Sequence, residues 1–573
     1  MGRVLKSLQL VAIGVGVILF LLVMHDLPQI TDATSVPPEL LTQPFLQLPS
    51  ATSVRVVWFT EFAGSKHWVV YGENLEQSVP ATTTKLSRTR EDQHSKLPTL
   101  IQRTTPRSIW RHEAIVEGLR SGQRLPYRVE SQRQDGKIAR SDPFSLAAAP
   151  EPGMPLKILL TSDHQLKPLV AANLQKVKET IGPVDAVFFA GDLVNVPDRA
   201  SEWFDDDRGN AFFPVLQGQA SFKLEKAGTI TVYRGGDLIQ SAPLFPAIGN
   251  HEVMGRFSEH SSLNDQFGDP VPRWAAQQAH PTLTLKPQGW KDYSFNTDTY
   301  EEIFTLPEDS PGGKQYYAVT FGDVRLIVLY ATNIWRSPSL AAGVRGKYRE
   351  RDVENPLDWG YGQHIFEAIG PGSAQYNWLQ QELQRPEFQQ AKYRIVMFHH
   401  PPHSLGENVV PAYTDPVQVI DRDDRGDIHA IRYEYPQSAD YLVRDVVPLL
   451  EEAGVQLVFY GHSHLWNRFI SPRGTHFLET SNVGNSYGAY VGTLKRKVPA
   501  GKDYAETGNP NGLDPIVPTI APLLDAGQSL PYIASNDITA FSILDTGTGT
   551  ISSYYFDTRK PESAGVKFDE FRL

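Results

Sequence analysis

Four short apolar segments of this 573-residue chain each lead directly into a polar block, and this pattern constrains the fold more than any other feature. The segments are residues 157–160, 186–189, 394–398 and 456–460. They are rich in strand-forming residues and apolar on both faces, which is typical of strands covered by helices on both sides. Because α/β folds gather ligands at the carboxyl ends of such strands, we expect the polar blocks to converge. The predicted fold class is α/β (α+β).

Five polar blocks follow one another between residues 161 and 464. They are Thr161-Ser162-Asp163-His164, Gly191-Asp192, Gly249-Asn250-His251-Glu252, His399-His400-Pro401 and Gly461-His462-Ser463-His464. Glycine and proline in four of these blocks are typical of turns, which places the polar side chains at strand ends. The order of the blocks is more informative than any single one, because such short motifs recur in proteins without function.

The side chains in these blocks are typical metal ligands. The candidates are Asp163, Asp192, Asn250, His399, His462 and His464. Carboxylate, amide and imidazole groups without a thiolate suit iron, manganese or zinc better than calcium. Six such groups are too many for one tetrahedral ion, and a carboxylate can bridge two ions about 3.5–4 Å apart. The sequence therefore predicts two divalent or trivalent metal ions (Fe, Mn or Zn).

The five blocks resemble those of the calcineurin-like metallophosphoesterases, and most of all those of the purple acid phosphatase branch, across roughly residues 155 to 560. This resemblance implies a four-layer αββα catalytic domain in which Asp192 bridges both ions and Asn250 binds the second one. It also implies that His251 contacts the substrate phosphate and helps the leaving oxygen to depart. The implied terminal ligands are Asp163, His399, His462 and His464.

Two positions depart from the family pattern. The first family block usually reads Asp-x-His or Asp-x-Gly, whereas Asp163 and His164 are adjacent here and Gln165 takes the third place. His164, Gln165 or neither could bind metal. The purple enzymes carry a tyrosine three residues after the bridging aspartate, and this chain has Asn195 there. We therefore expect no purple colour, and metal binding by Asn195 is left open.

The resemblance implies hydrolysis of phosphate esters by a metal-bound hydroxide, without a nucleophile from the protein. A phosphomonoesterase of the acid phosphatase type is the leading interpretation. A phosphodiesterase or nucleotidase with the same centre is one alternative, and an inactive extracellular metal-binding scaffold is another. The predicted catalytic residues are Asp192 and His251. The predicted substrate contacts are Asn250, His251 and His400, although His400 could instead be a loop imidazole beside the metal ligands.

Composition narrows the range of partners. The formal net charge of −11 disfavours nucleic acid as the main partner, because phosphate backbones are bound through clustered Lys and Arg. A small phosphate ester remains compatible with this charge, since bound metal ions dominate the local field. The sequence has no Cys, so it predicts no disulfide. It makes no prediction about oligomeric state.

Residues 1–36 are predicted to be a signal anchor, or a cleaved signal peptide, followed by a tether. The stretch from Leu8 to Met24 is uncharged and mostly apolar, and Arg3 and Lys6 precede it. Its length of about 17 residues just reaches the lower limit for a spanning helix. The positive-inside rule keeps the two basic residues in the cytoplasm. The catalytic part is therefore expected to be extracytoplasmic, either membrane-anchored or, after cleavage, secreted or periplasmic.

Residues 37–150 are predicted to form a β-sandwich. Short alternating segments at 53–59, 67–72, 112–116 and 127–130 are separated by polar turns. They resemble the fibronectin-III-like domain that precedes the catalytic domain in plant-type purple acid phosphatases. A stretch rich in alanine and proline ends this domain. Residues 151–573 are then the catalytic domain, whose long inserts are expected to shape substrate choice.

Overall fold

The computed structural model describes residues 39–282, 287–333, 361–407, 412–491 and 511–573. The predicted N-terminal membrane segment lies outside these ranges. Within them, no helix combines the length and the apolar character that a membrane span requires.

The N-terminal part of the described chain is built from β-strands alone. These are β1 (Phe45–Gln47), β2 (Ser53–Thr60), β3 (Lys66–Tyr71), β4 (Gln77–Pro80), β5 (Thr82–Lys85), β6 (Arg90–Glu91), β7 (Thr105–Pro106), β8 (Trp110–Glu117), β9 (Leu125–Gln132), β10 (Ile138–Arg140) and β11 (Phe144–Leu146). One antiparallel sheet has the order β1-β2-β8-β5 and the other the order β10-β9-β3-β4, with β11 also paired to β9. Trp58 from the first sheet and Val69 and Val129 from the second share one buried cluster. The strands predicted from alternation are confirmed to within two residues.

Two histidines lie stacked inside this β-sandwich. The ring centroids of His67 and His112 are 3.6 Å apart, and His112 is fully buried. The His112 ring nitrogens lie 2.8 Å from Thr60 Oγ1 and 2.9 Å from Thr83 Oγ1. Burial, reinforced by the neighbouring imidazole, lowers the pKa of His112 to about 2. The sandwich therefore holds this imidazole in its neutral form.

This histidine makes stability depend on pH. The pKa of His112 in the folded protein lies below its usual 6.5. The neutral buried ring therefore contributes its full stabilisation of the fold above pH 6.5, and this contribution is lost as the pH falls. Each pH unit below that value costs about 1.4 kcal/mol. We expect His112→Gln to lose less free energy of unfolding than the wild type between pH 7.5 and pH 5, by about 2 kcal/mol. Urea unfolding at both pH values measures this. The exposed His260, changed to Gln, should keep the wild-type pH dependence; an unchanged pH dependence in His112→Gln would contradict the prediction.

The strands of the second part begin at residue 157. They are β12 (Lys157–Thr161), β13 (Ala186–Phe189), β14 (Phe222–Lys226), β15 (Thr229–Tyr233), β16 (Leu244–Pro246), β17 (Tyr317–Phe321), β18 (Val324–Val328), β19 (Tyr393–Met397), β20 (Val417–Arg422), β21 (Ile428–Glu434), β22 (Leu457–Tyr460), β23 (Trp466–Ile470), β24 (His476–Thr480), β25 (Leu524–Asp525), β26 (Gln528–Ser529), β27 (Tyr532–Ile533), β28 (Ile538–Asp545), β29 (Thr550–Asp557) and β30 (Val566–Arg572). Two large sheets result, with the orders β16-β13-β12-β28-β29-β30 and β17-β18-β19-β22-β24-β23-β27.

Helices accompany these sheets. The α-helices are Val170–Ile181, Ala200–Phe204, Phe212–Leu216, Leu263–Phe267, Arg273–Ala279, Pro287–Tyr293, Asp298–Ile303, Ala374–Glu382, Pro386–Gln389 and Val447–Glu452. Short 3₁₀ turns occur at Gly313–Gln315 and Gln437–Ala439, and a π-helical turn at Leu442–Val446. The helix Val170–Ile181 buries Val170, Leu174 and Val177 on one face. Its Asn173 amide also donates to Thr539 Oγ1 and to the Ala540 carbonyl, which joins the helix to β28. The mixed α/β class is confirmed.

The polar blocks follow the ends of parallel strands in both sheets. In the first sheet β12, β13 and β16 run parallel, and in the second β18, β19, β22 and β24 do. Strands from both sheets contribute to one continuous core, which also includes Phe45 and Phe59 of the sandwich. This packing brings two sets of strand ends, and the polar loops behind them, into one region.

Candidate metal centre

Four of the five blocks meet at buried side chains. Potential ligand atoms of Asp163, Asp192 and His399 lie within 4.8 Å of one another, and so do those of His399, His400 and His462. The third block joins them, because Asn250 Oδ1 lies 3.2 Å from His462 Nδ1. The structure therefore brings together residues that are far apart in the sequence: the His462 backbone amide, for example, donates to Asp163 Oδ2 at 2.9 Å across 299 positions.

The backbone at this centre is strained. Asp163, Asp192, His462 and His464 all have left-handed φ angles, of 58°, 59°, 80° and 57°. This conformation costs a residue with a side chain roughly 1–2 kcal/mol, and such strain concentrates at functional sites. Glycine is required beside them: a Cβ on Gly461 would overlap the Asp163 carboxylate, and one on Gly249 would overlap that of Asp192.

Asp192 occupies the middle of the centre. Its carboxylate accepts hydrogen bonds from the His251 amide at 2.9 Å and from Gln165 Nε2 at 2.7 Å, and its Oδ2 lies 3.2 Å from His399 Nε2. Burial opposes the charge, but the neighbouring His399 and His251 outweigh it and hold the pKa of Asp192 well below its usual range. The group is a carboxylate with imidazole on more than one side.

Backbone carbonyls fix the orientation of two imidazoles. The ring nitrogen Nδ1 lies 2.8 Å from the Ala190 carbonyl in His399 and 2.8 Å from the Asn485 carbonyl in His464. Each Nδ1–H donates to its carbonyl, which leaves Nε2 as the ligand atom. In His464 this atom lies 3.3 Å from Asp163 Oδ1. Burial would lower the pKa of His399, but the Asp192 carboxylate raises it to about 10. The Asp192 carboxylate therefore favours positive charge at His399 Nε2, the ring nitrogen that faces it.

Several buried ligand atoms lack a hydrogen bond within the described part of the chain. They are Asp163 Oδ1, His399 Nε2 and His400 Nε2. The first two lie close to His464 Nε2 and Asp192 Oδ2, at 3.3 and 3.2 Å, but without the alignment of a hydrogen bond. A buried polar atom left without a hydrogen bond costs about 1–3 kcal/mol, so such a cluster is stable only if another group satisfies it. Cations between these oxygen and nitrogen atoms would do so, and the donor set suits iron, manganese or zinc. The residues present fit metal ions.

The three positions where metal binding was left open make other contacts. His164 Nε2 lies 3.0 Å from Thr161 Oγ1, and burial lowers its pKa to about 3, so the ring is neutral. The Gln165 amide donates to Asp192, and its buried Oε1 has no hydrogen-bond partner among the described residues. The Asn195 amide donates to the Gln165 carbonyl at 2.8 Å, and its Oδ1 accepts from Lys167 at 3.4 Å. Metal binding by these three stays an open prediction.

The two histidines predicted to contact substrate differ in exposure. The His251 side chain is 20% exposed, and its Nε2 lies 4.0 Å from Asp192 Oδ2. Its Nδ1 lies 2.7 Å from the Asn195 carbonyl, to which it donates. His400 is buried, stacks on His462 at 4.0 Å, and contacts Thr332 Oγ1 through Nδ1 at 2.9 Å. Burial, followed by the charge of His462, lowers the pKa of His400. Of the two, His251 is the more exposed.

Two buried glutamates support the centre, and the role of neither was predicted from the sequence. Glu252 accepts the amides of Gly249, Asp192 and Leu193 at 2.8, 2.8 and 2.7 Å, which fixes the loop that carries Asp192. Burial, followed by the charge of Asp192, raises its pKa to about 8. Its position directly after His251 was the one available signal, because it belongs to the same block.

Glu479 holds the last block in the same way. It lies on β24 and accepts the Ser463 amide at 2.7 Å, Ser481 Oγ at 2.9 Å and Ser404 Oγ at 3.0 Å. Ser463 lies between His462 and His464, so this carboxylate fixes the loop that carries both imidazoles. Burial, followed by the charge of Asp163, raises its pKa to about 8. No signal in the sequence connects Glu479 with the block.

Comparison with known proteins agrees with this geometry. The model of the family "Calcineurin-like phosphoesterase" matches residues 156–465. No curated protein is detectably similar in sequence. The purple acid phosphatase PPD1 from yellow lupin (Lupinus luteus) seeds is similar in structure with a TM-score of 0.51 and 13% identity, covering 92% of this chain and 74% of that one. At this identity the similarity establishes a shared fold.

Two further solved structures are similar at lower TM-scores. A dimetal phosphatase from Danio rerio has a TM-score of 0.32 and 10% identity, covering 72% of this chain and 98% of its own. GAP50, described as the anchor in the inner membrane complex of Plasmodium, has a TM-score of 0.32 and 12% identity, covering 73% of this chain and 90% of its own.

Proposed function

The chain belongs to the calcineurin-like phosphoesterase family, and from that membership we propose that it is a phosphomonoesterase of the acid phosphatase type with a dinuclear metal centre. The observation that carries the proposal is the convergence of Asp163, Asp192 and His399, buried and within 4.8 Å of one another. Such a cluster of carboxylates and imidazole on strained loops is costly to fold without a ligand. Hydrolysis of a phosphate ester is the use of this donor set that the family suggests.

The proposed roles follow the positions of the side chains. Asp192 would be shared by both ions, and the other residues that would hold them are Asp163, Asn250, His399, His462 and His464. Two bound cations would activate a water molecule and neutralise charge on the ester oxygens. Iron, manganese and zinc all suit these ligands.

Two residues of the chain are proposed to act on the ester itself. His251 is anchored through Nδ1 on the Asn195 carbonyl, so Nε2 would be the ring atom that donates to the leaving oxygen when protonated. Lys167 Nζ lies 3.4 Å from Asn195 Oδ1. Burial lowers its pKa, whereas the charges of Asp192 and Asp163 act to raise it. This ammonium group would attract the phosphate to the same edge of the centre.

The inserts offer space for the organic part of the ester. A cavity of about 1110 Å³ is walled by aromatic side chains, among them Trp274, Phe295, Tyr361, Phe366, Tyr433 and Tyr441. Its wall is connected to the centre, because the Phe366 amide donates to the Thr332 carbonyl at 3.3 Å and Thr332 Oγ1 contacts His400. An aromatic or otherwise apolar ester arm fits such a lining.

The remaining parts of the proposal concern architecture and location. The two large sheets and their helices are proposed to form a four-layer αββα arrangement behind a fibronectin-III-like domain. The apolar N-terminal stretch, with Arg3 and Lys6 before it, is proposed to anchor the chain or to direct its export, with the catalytic part extracytoplasmic.

The first experiment measures hydrolysis of p-nitrophenyl phosphate and bis-p-nitrophenyl phosphate by the full-length protein in detergent. The protein is stripped with a chelator and reloaded with Mn, Fe or Zn, and its metal content is determined. We expect metal to restore cleavage, with the monoester preferred. Preference for the bis ester would make the protein a phosphodiesterase. A protein that binds two ions and cleaves neither ester would support the inactive scaffold instead.

A further inference from the structure

A long connection in the sandwich reaches the centre from outside the catalytic sheets. Residues 86–109 join β5 to β8, and within them the Arg90 amide donates to the Asp198 carbonyl at 2.9 Å. Asp92 lies two residues later and is 1% exposed. A carboxylate buried so deeply must be paired and hydrogen-bonded to be tolerated. Its partners are therefore informative about what this connection does.

The first set of partners leads to His251 through an ion-pair chain. Asp92 Oδ1 lies 3.1 Å from Arg199 Nη2, and Arg199 Nη1 donates to Glu202 Oε1 at 2.7 Å. The other Glu202 oxygen, Oε2, accepts a hydrogen bond from the backbone amide of Asn195 at 2.6 Å. The carbonyl of the same Asn195 holds His251 Nδ1 at 2.7 Å. Arg199 and Glu202 are also buried, so water does not replace these contacts.

A second partner leads to His251 from another side. Asp92 Oδ2 accepts the Leu263 amide at 2.7 Å. Leu263 begins the helix Leu263–Phe267, and the Phe267 ring packs on the His251 imidazole with centroids 5.0 Å apart. Phe267 also packs against Val196 and Met254, which flank Asn195 and the third block in the sequence. One carboxylate thus holds both the hydrogen-bond acceptor and the aromatic support of this imidazole.

We propose that Asp92 of the sandwich is a positioning residue for His251. Its two oxygens accept from two different elements, and each of those elements holds one side of the imidazole. Asparagine would leave only one acceptor oxygen and set an N–H group against one of the donors. His251 would then lose its fixed position relative to the ester. The kinetic part of this inference rests on the proposed function, whereas the structural part does not.

The test is a double-mutant cycle in the full-length protein. We expect Asp92→Asn to lower kcat for phenyl phosphate about tenfold while both metal ions stay bound, because small misplacements of catalytic groups cost up to about 100-fold. In a His251→Ala background the same change should have no further effect, since no imidazole remains to be positioned. Additive losses, or a loss of metal ions that accounts for the fall in kcat, would overturn the proposal.

Glu113→Gln is the matched control. Glu113 also lies in the sandwich, pairs with Arg111 at 2.6 Å, and accepts Thr305 Oγ1 from the catalytic part at 2.7 Å. The change to Gln weakens the contact between the sandwich and the catalytic part. Glu113 has no described contact with the elements that hold His251. We expect its kcat to equal that of the wild type. A tenfold fall here as well would attribute the Asp92 effect to general loosening and would contradict the proposal.

Two additional measurements keep the proposal decidable. If Asp92→Asn does not fold, Phe267→Leu removes the aromatic support without changing charge, and its effect must likewise vanish in the His251→Ala background. A crystal structure of Asp92→Asn should place His251 Nδ1 beyond hydrogen-bond distance of the Asn195 carbonyl. If the wild type cleaves neither p-nitrophenyl phosphate nor its bis ester, the proposed function fails. The distance from His251 Nδ1 to the Asn195 carbonyl in Asp92→Asn then decides alone, because an unchanged 2.7 Å would reject the positioning role.

Discussion

Replacing His251 by alanine is expected to lower kcat for phenyl phosphate by a factor on the order of 10² to 10⁴, which is the usual contribution of a general acid. The imidazole is anchored on the Asn195 carbonyl, and its partly exposed Nε2 lies 4.0 Å from the central carboxylate. It is not among the side chains that cluster most tightly as potential ligands. Both metal ions should therefore stay bound, which metal analysis of the purified variant measures.

The loss of kcat in His251→Ala should depend on the leaving group of the ester. Nitrophenolate departs without much help from an acid, whereas phenolate needs a proton, so the loss should be much smaller for p-nitrophenyl phosphate. His260→Ala, which removes an exposed histidine of a nearby loop, should leave both rates unchanged. Equal losses on both esters together with a missing metal ion would instead make His251 a ligand.

The convergence of the blocks was predictable because it depends on local rules. Residues 157–161 and 186–189 are apolar runs that form buried parallel strands, and such strands end at one edge of a sheet. Gly249 and Gly461 mark loops where the backbone approaches a carboxylate too closely for a side chain. Strand ends, turns and ligand chemistry all leave signals within a few residues, which is why the sequence indicates the centre.

The supporting residues were not predictable, because their partners come from distant parts of the chain. Glu479 lies 16 positions from Ser463, and Asp92 lies 107 positions from Arg199. Nothing in the local sequence separates these carboxylates from the many acidic residues on the surface. Only the packing of the whole chain buries these two carboxylates and supplies the groups that donate hydrogen bonds to them. The sandwich itself was predicted from alternation, but its contact with the elements around His251 required the structure.

Replacing Asp192 by asparagine is expected to have the largest effect of any single change. The amide keeps the size of the side chain but loses the negative charge and one acceptor oxygen, so it can neither bridge two cations nor accept the Gln165 amide as before. Loss of several kcal/mol of charge stabilisation corresponds to a fall in kcat/KM of about 1000-fold or more. Metal analysis should find at least one ion missing.

Thermal unfolding separates this loss from simple misfolding. Metal that binds only the folded protein raises the unfolding temperature, and about 2.7 kcal/mol is gained at 100 times the dissociation constant. The wild type should show this increase on reloading with metal, and Asp192→Asn should show a much smaller one from a similar starting temperature. Asp135→Asn, on an exposed turn of the sandwich, should behave as the wild type. Since Asp192 accepts from Gln165 and from the third block and also faces His399, an Asp192→Asn variant with two ions and full activity would refute a centre bridged by this residue.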